Sequence, residues 1–215
     1  MLVCAAMLAL VIDVSRSIDP DEYQLQMQGT ANVFLTERLQ NAIDPDRPMA
    51  VSVIIFSDRA VVSVPWTLLR TRSDSIGFSA RVRAIENPQW LYTNALHGLG
   101  IALDQFESNA APCESDIKVI DISADGLNNG AQIRPQDTIP RIVQRAQEMD
   151  IRINALPILP TEQTASPYES ADQIYNYYND NFVAPTGGFT IRAHGFEDFA
   201  RAIFNKITTE IASRK

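Results

Sequence analysis

Leu10-Val11-Ile12-Asp13-Val14-Ser15-Arg16-Ser17-Ile18-Asp19 reads as an apolar strand running straight into a D-x-S-x-S loop. A continuous apolar run closed by an acid suits a central strand of a parallel sheet, buried on both faces. Ligands of open α/β sheets sit beyond the carboxyl ends of the strands, where Asp13, Ser15 and Ser17 fall. Alternate residues of an extended loop point the same way, so the three oxygens can converge on one point. Small oxygen donors with no His or Cys nearby suit a hard divalent cation. The same residues also make an Asp/Ser turn that only caps the next helix, and this stretch alone supports either reading.

The bulk properties narrow the classes. At 215 residues the chain reads as one domain, large enough for a substantial core. Eighteen basic residues against 26 acidic ones give a net charge of −8. No Lys/Arg cluster interrupts that balance, which excludes a nucleic-acid surface and fits a protein that gathers cations. Met1 to Ile12 is almost uninterrupted apolar sequence, but too short to span a membrane and without the basic start of a signal peptide. It merges into the strand that carries Asp13, so no membrane insertion by this chain is expected.

Cys4 and Cys113 each precede an apolar strand, Leu8 to Asp13 and Ile117 to Ile122. If those strands are parallel neighbours, both thiols lie at one end of the sheet, opposite the candidate cation. A bridge would close a loop of roughly 100 residues and stabilise by about 4–5 kcal/mol in the chain-entropy model. Two free thiols are the alternative. A periplasmic or secreted setting follows from the bridge if an export signal has been removed upstream.

Asp19-Pro20-Asp21-Glu22 starts a helix expected to run to about Ile43, where Asp44-Pro45-Asp46-Arg47-Pro48 breaks it. Met49 to Phe56 reads as a second strand and Val61 to Val64, ending at Pro65-Trp66, as a third. The short Ser57-Asp58-Arg59 link makes these two a hairpin, with the third strand antiparallel at the sheet edge. Helices follow over Ser73 to Ile85 and after Tyr92-Thr93-Asn94. Thr93 therefore stands at a helix mouth, able to cap it or to face the cation. Ile117 to Ser123 is the fourth strand and leads into Ala124-Asp125-Gly126-Leu127-Asn128-Asn129-Gly130. Asp125 falls at the rim, whereas Asp121, inside the strand, suits a structural hydrogen-bonding role. A helix over Asp137 to Met149, a strand over Ile151 to Leu159 and a polar loop over Thr161 to Ser170 come next. Tyr175, Tyr177, Tyr178 and Phe182 then form a short aromatic helix, Phe189 to Ala193 a last strand, and Phe199, Ile203, Ile207 and Ile211 a final core-facing stripe. The expected architecture is a doubly wound α/β sandwich: a mostly parallel six-stranded sheet, one antiparallel edge strand and helices on both faces.

Asp13/Ser15/Ser17, Thr93 and Asp125 fall at one edge of that sheet. In this order the motifs resemble the von Willebrand factor A-type domain, whose metal-ion-dependent adhesion site uses D-x-S-x-S, a distant Thr and a later Asp. The resemblance covers nearly the whole chain. Val64-Pro65-Trp66-Thr67, Val119 to Asn129, Ile153-Asn154-Ala155-Leu156-Pro157-Ile158 and Phe199 to Ala212 also look like a bacterial branch of this superfamily with no assigned role. Arg16 and Ala124 stand where Gly is frequent. The resemblance implies that Ser15, Ser17 and Thr93 coordinate a cation directly, with Asp13 and Asp125 acting directly or through water. Mg²⁺ is the first choice, and Mn²⁺ or Ca²⁺ can substitute. The implied partner is a protein presenting Asp or Glu, read at the rim by Arg16, Asn128 and Asn129. A metal-assisted hydrolase and a scaffold with a vacant site are the rival functions. His97 and His194 are the only histidines, and no G-x-S-x-G elbow or phosphate-binding Gly-rich loop is present to support hydrolysis.

Overall fold

The computed structural model describes residues 2–88, 90–108, 111–161 and 169–212. Six strands form one sheet: β1 (Ala6–Asp13), β2 (Met49–Phe56), β3 (Ala60–Leu69), β4 (Lys118–Ala124), β5 (Ile151–Leu159) and β6 (Ala193–His194), in the order β3-β2-β1-β4-β5-β6. All neighbours are parallel except β2 and β3. The central strand β1 is buried along its whole length, which explains its unbroken apolar run. Its side chains alternate between two cores. Leu8, Leu10 and Ile12 join one with Met27, Phe78 and Phe199; Ala9 and Val11 join the other with Leu99, Ile142 and Tyr178.

The first core is covered by α1 (Pro20–Val33), α2 (Glu37–Ala42), α3 (Arg72–Arg83) and α8 (Phe199–Ala212). The second is covered by α4 (Ala95–Glu107), α5 (Ile139–Glu148) and α6 (Ala171–Tyr178), the last continuing through a π-helical turn, Asn179–Val183, into α7 (Ala184–Thr186). A Cβ on Gly98 would stand 2.9 Å from the Phe56 ring and 3.0 Å from Val11, so glycine is what seats α4 directly on the sheet.

Several elements differ from their expected extents. The first helix does not continue to Ile43 but divides at Phe34–Thr36. The Thr36 hydroxyl donates to Val33 O at 2.7 Å and its oxygen caps the new helix, a local competition for backbone groups that no Gly or Pro announces. Strand β3 runs through Pro65 to Leu69, tolerated because it pairs only with β2 and needs no outward amide there. The last strand, expected over Phe189 to Ala193, is instead the two residues Ala193–His194. Upstream of it Phe189 N donates to the Asn154 side chain, leaving one isolated bridge between Ala155 and Thr190. Most of the polar loop expected over Thr161 to Ser170 lies outside the described residues.

Cys4 and Cys113 form a disulfide with Cα atoms 5.8 Å apart, at the end of β1 remote from Asp13. Asp121, in mid-β4, is fully enclosed and paired with Lys206 of α8. Glu210 completes this buried cluster, its Oε1 lying 3.7 Å from Lys206 Nζ and accepting from Asn154 Nδ2 at 2.7 Å. Burial, then the neighbouring Asp121 charge, pushes the Glu210 carboxyl up to about 8. Among the described residues no helix is long and apolar enough to cross a membrane.

Candidate metal centre

Asp13 closes β1 and is completely buried. Its Oδ1 accepts the Ser15 amide at 2.9 Å, which folds the loop back over the strand end. Its Oδ2 is buried with no hydrogen-bond partner among the described residues. Around it runs a chain of short contacts between residues distant in sequence. Thr93 Oγ1 lies 3.1 Å from Ser15 Oγ, Ser15 Oγ lies 3.0 Å from Ser17 Oγ, and the Ser17 hydroxyl donates to Asp125 Oδ1 at 3.0 Å. All five residues of the three motifs are therefore brought together at the carboxyl ends of β1 and β4.

Each arm of the centre is held by its own scaffold. Asn94, not Thr93, caps α4: its side chain accepts the His97 amide at 3.2 Å, which leaves the Thr93 hydroxyl free to face Ser15. Asp58 accepts the Leu91 and Tyr92 amides at 3.0 and 2.8 Å, fixing the approach to Thr93. Asn129 Oδ1 accepts the Thr93 amide at 2.8 Å and Asn128 Oδ1 accepts the Leu96 amide at 3.1 Å. Both Asn side chains thus join the Asp125 loop to the Thr93 turn. Tyr178 donates to Gly126 O at 2.8 Å, and Glu169 Oε2 accepts the Leu127 amide at 3.0 Å.

The electrostatics show what the arrangement lacks. Burial, then the Asp125 charge, raises the Asp13 carboxyl well above its usual range. Burial pushes Asp125 up to about 6 against the Ser17 hydrogen bond, with Glu22 and Glu169 adding repulsion. Asp13 is fully buried and Asp125 partly so, and among the described residues no cationic side chain offsets their charge, so both resist ionisation. A divalent cation is the counter-charge that would reverse this, and Asp13 Oδ2 is an oxygen with nothing else to bind. The donor set of carboxylates and hydroxyls fits a hard ion. Among the described residues no three His, Cys, Asp or Glu side chains converge on a point, so any cation here depends on the hydroxyls.

Residues 3–215 match the model of a family described as a protein of unknown function, DUF1194. The chain belongs to the DUF1194 family. No curated protein matches it in sequence. Its fold is that of von Willebrand factor A-type domains. Similar solved structures include proximal thread matrix protein 1 of the mussel byssus with a zinc-occupied MIDAS motif, at 17% identity and a TM-score of 0.67, covering 98% of this chain and 47% of that one. The pilus adhesin SpaC of Lactobacillus rhamnosus GG matches at 14% identity and a TM-score of 0.68 over 99% of this chain and 31% of its own. A von Willebrand factor type A protein from Catenulispora acidiphila matches at 14% identity and a TM-score of 0.61, over 97% and 43%. The DUF1194 chain thus spans less than half the length of each of these three.

Beside the centre, this DUF1194 chain has a cleft of about 790 Å³. Ser17, Thr93 and Asp125 are among its lining residues, and Glu22, Glu169 and Glu197 make the lining acidic. Arg16 is exposed, its amide donating to Leu91 O at 3.3 Å, with exposed Leu91 and Tyr92 beside it; of the expected rim residues Arg16, Asn128 and Asn129, Asn129 is the one that lines the cleft. Asn129 is exposed and Asn128 partly so. His97 is buried under the Ala60 amide, which donates to its Nδ1 at 3.2 Å, whereas exposed His194 lines the cleft. Sequence reasoning missed Asn94, Tyr178 and Glu169. Asn94 was legible as a capping residue directly before an apolar helix; Glu169 and Tyr178 come from a polar loop and an aromatic helix whose spacing carries no mark of the centre.

Proposed function

We propose that this chain is a metal-dependent protein-binding module. Ser15, Ser17 and Thr93, with Asp13 and Asp125, would hold a divalent cation, Mg²⁺ first and Mn²⁺ or Ca²⁺ as substitutes. The observation that carries the reading is the buried, unpartnered Oδ2 of Asp13 at the foot of a four-residue chain of oxygen contacts. When bound, the ion supplies a Lewis-acidic position able to take an external carboxylate. The chain's own part is to arrange neutral hydroxyls around the ion and to keep its own amides occupied. The partner presents an Asp or Glu side chain, with Arg16, Asn128 and Asn129 reading its surroundings at the rim.

Two further findings favour this reading. One similar structure carries an occupied motif of this kind and another is an adhesin. The disulfide suits an oxidising compartment, so a periplasmic or secreted setting goes with the proposal. Calorimetry with Mg²⁺ alone is the first test, and capture of an acidic protein partner in Mg²⁺ against EDTA the second. Thr93→Ala is expected to weaken cation binding while the domain stays folded. Equal partner capture with and without the chelator would end the metal-dependent reading.

A further inference from the structure

Glu169 lies outside the three motifs, yet it reaches the candidate centre from just ahead of α6. Its Oε2 accepts the Leu127 amide at 3.0 Å. The same oxygen lies 3.2 Å from the position a Cβ on Gly126 would take, and Thr93 Oγ1 lies 3.8 Å from that position. The missing side chain at Gly126 thus leaves one small space flanked by the carboxylate and the Thr93 hydroxyl. Ser17, Thr93, Asp125, Gly126 and Glu169 all line the cleft.

We propose that Glu169 is a positioning residue beside the cation centre and not one of its ligands: it holds the Asp125-Gly126-Leu127 turn and adds one negative charge to the field at the ion. The inference rests on the cation-binding reading above. Asp13 and Asp125 alone balance a divalent ion, because the three hydroxyls are neutral. Glu169, together with Glu22, which lines the same cleft, tips the loaded centre to a net negative charge. That charge strengthens attraction for the cation and, by the same sign, opposes an incoming carboxylate, so Glu169 sets how readily the loaded centre accepts an acidic partner. The hydrogen bond and the charge are separable. Any acceptor serves the Leu127 amide, and Tyr178 independently ties the turn through Gly126 O at 2.8 Å. Only an ionised carboxylate supplies the field.

The test is Mn²⁺ titration of the whole chain by calorimetry, comparing the parent, Glu169→Gln and Glu169→Asp at low and high salt. Glu169→Gln keeps an acceptor for Leu127 and removes the charge. It is expected to weaken Mn²⁺ binding about 10-fold, the scale for groups just outside a metal's ligands. The gap should narrow at high salt, where exposed charges are screened. Glu169→Asp keeps the charge and should bind close to the parent. Unchanged Mn²⁺ affinity in Glu169→Gln, or an Asp variant as weak as the Gln variant, would overturn the charge role. A parent that binds no Mn²⁺ is a different failure, visible without any variant, and removes the centre itself. Should Glu169→Gln not fold, Glu169→Ala takes its place, with Tyr178 still tying the turn: weaker Mn²⁺ binding than the parent at low salt is expected, and parent-like affinity overturns the inference.

Discussion

Replacing Asp125 by Asn should stabilise the cation-free protein and abolish cation binding in the same step. The Asp125 carboxyl is displaced from its ordinary 3.8 to about 6, by burial first and then by the Glu22 and Glu169 charges. At about 1.4 kcal/mol per pKa unit, that displacement corresponds to about 3 kcal/mol held against folding once the group is ionised. The sign follows from proton counts. Between about pH 4 and about 6 the folded state binds more protons at this site than the unfolded state, so stability falls as pH rises through that window and levels above it. The Asn side chain still accepts from the Ser17 hydroxyl, which Asp125 Oδ1 accepts in the parent at 3.0 Å. The substitution therefore removes the charge and keeps the contact. Urea unfolding in EDTA, repeated from about pH 4 to about 8, should show the parent losing up to about 3 kcal/mol relative to the variant. Saturating Mn²⁺ should return that stability to the parent alone. Asp13, whose carboxyl the Asp125 charge helps to raise, is relieved of that repulsion in the variant and shifts the difference in the same direction; the remaining titrating groups act nearly equally in both proteins. A variant less stable than the parent in EDTA at neutral pH would refute the reasoning, because Asp125 would then have a counter-charge within the protein.

Three further outcomes are open to measurement. Lys206→Ala leaves Asp121 and Glu210 buried without their cation and should cost about 3–5 kcal/mol in urea unfolding. Because burial and the Asp121 charge push the Glu210 carboxyl up to about 8, stability should also fall as pH rises from about 4.5 through about 8, and Glu210→Gln should flatten that slope. Cys4→Ser combined with Cys113→Ser removes a link across 109 residues and should cost about 4–5 kcal/mol in the chain-entropy model; Mn²⁺ affinity of the folded variant should hold, since the centre lies at the other end of β1.

The parts that were legible share one physical feature: their determinants are local in sequence. The apolar run of β1 and the acid closing it follow from burial on both faces and from the position of ligands beyond parallel strands. The antiparallel edge followed from a link too short for a crossover. The break at Phe34–Thr36 was hidden because a threonine hydroxyl competing for Val33 O looks, in sequence, like any mid-helix threonine. Lys206 was hidden for a related reason: on its own helix it reads as a solvated cation, and only the opposing Asp121 of β4 accounts for its complete burial. The centre divides along the same line. Asp13, Ser15 and Ser17 lie within five residues, whereas Glu169 is placed only by the Leu127 amide of another loop. A family motif marks the residues placed to touch an ion, while the groups that tune its charge are distributed by the tertiary fold. Charge at this site therefore has to be read from the folded chain, where Glu22 and Glu169 stand against Asp125, and the three motifs alone do not carry it.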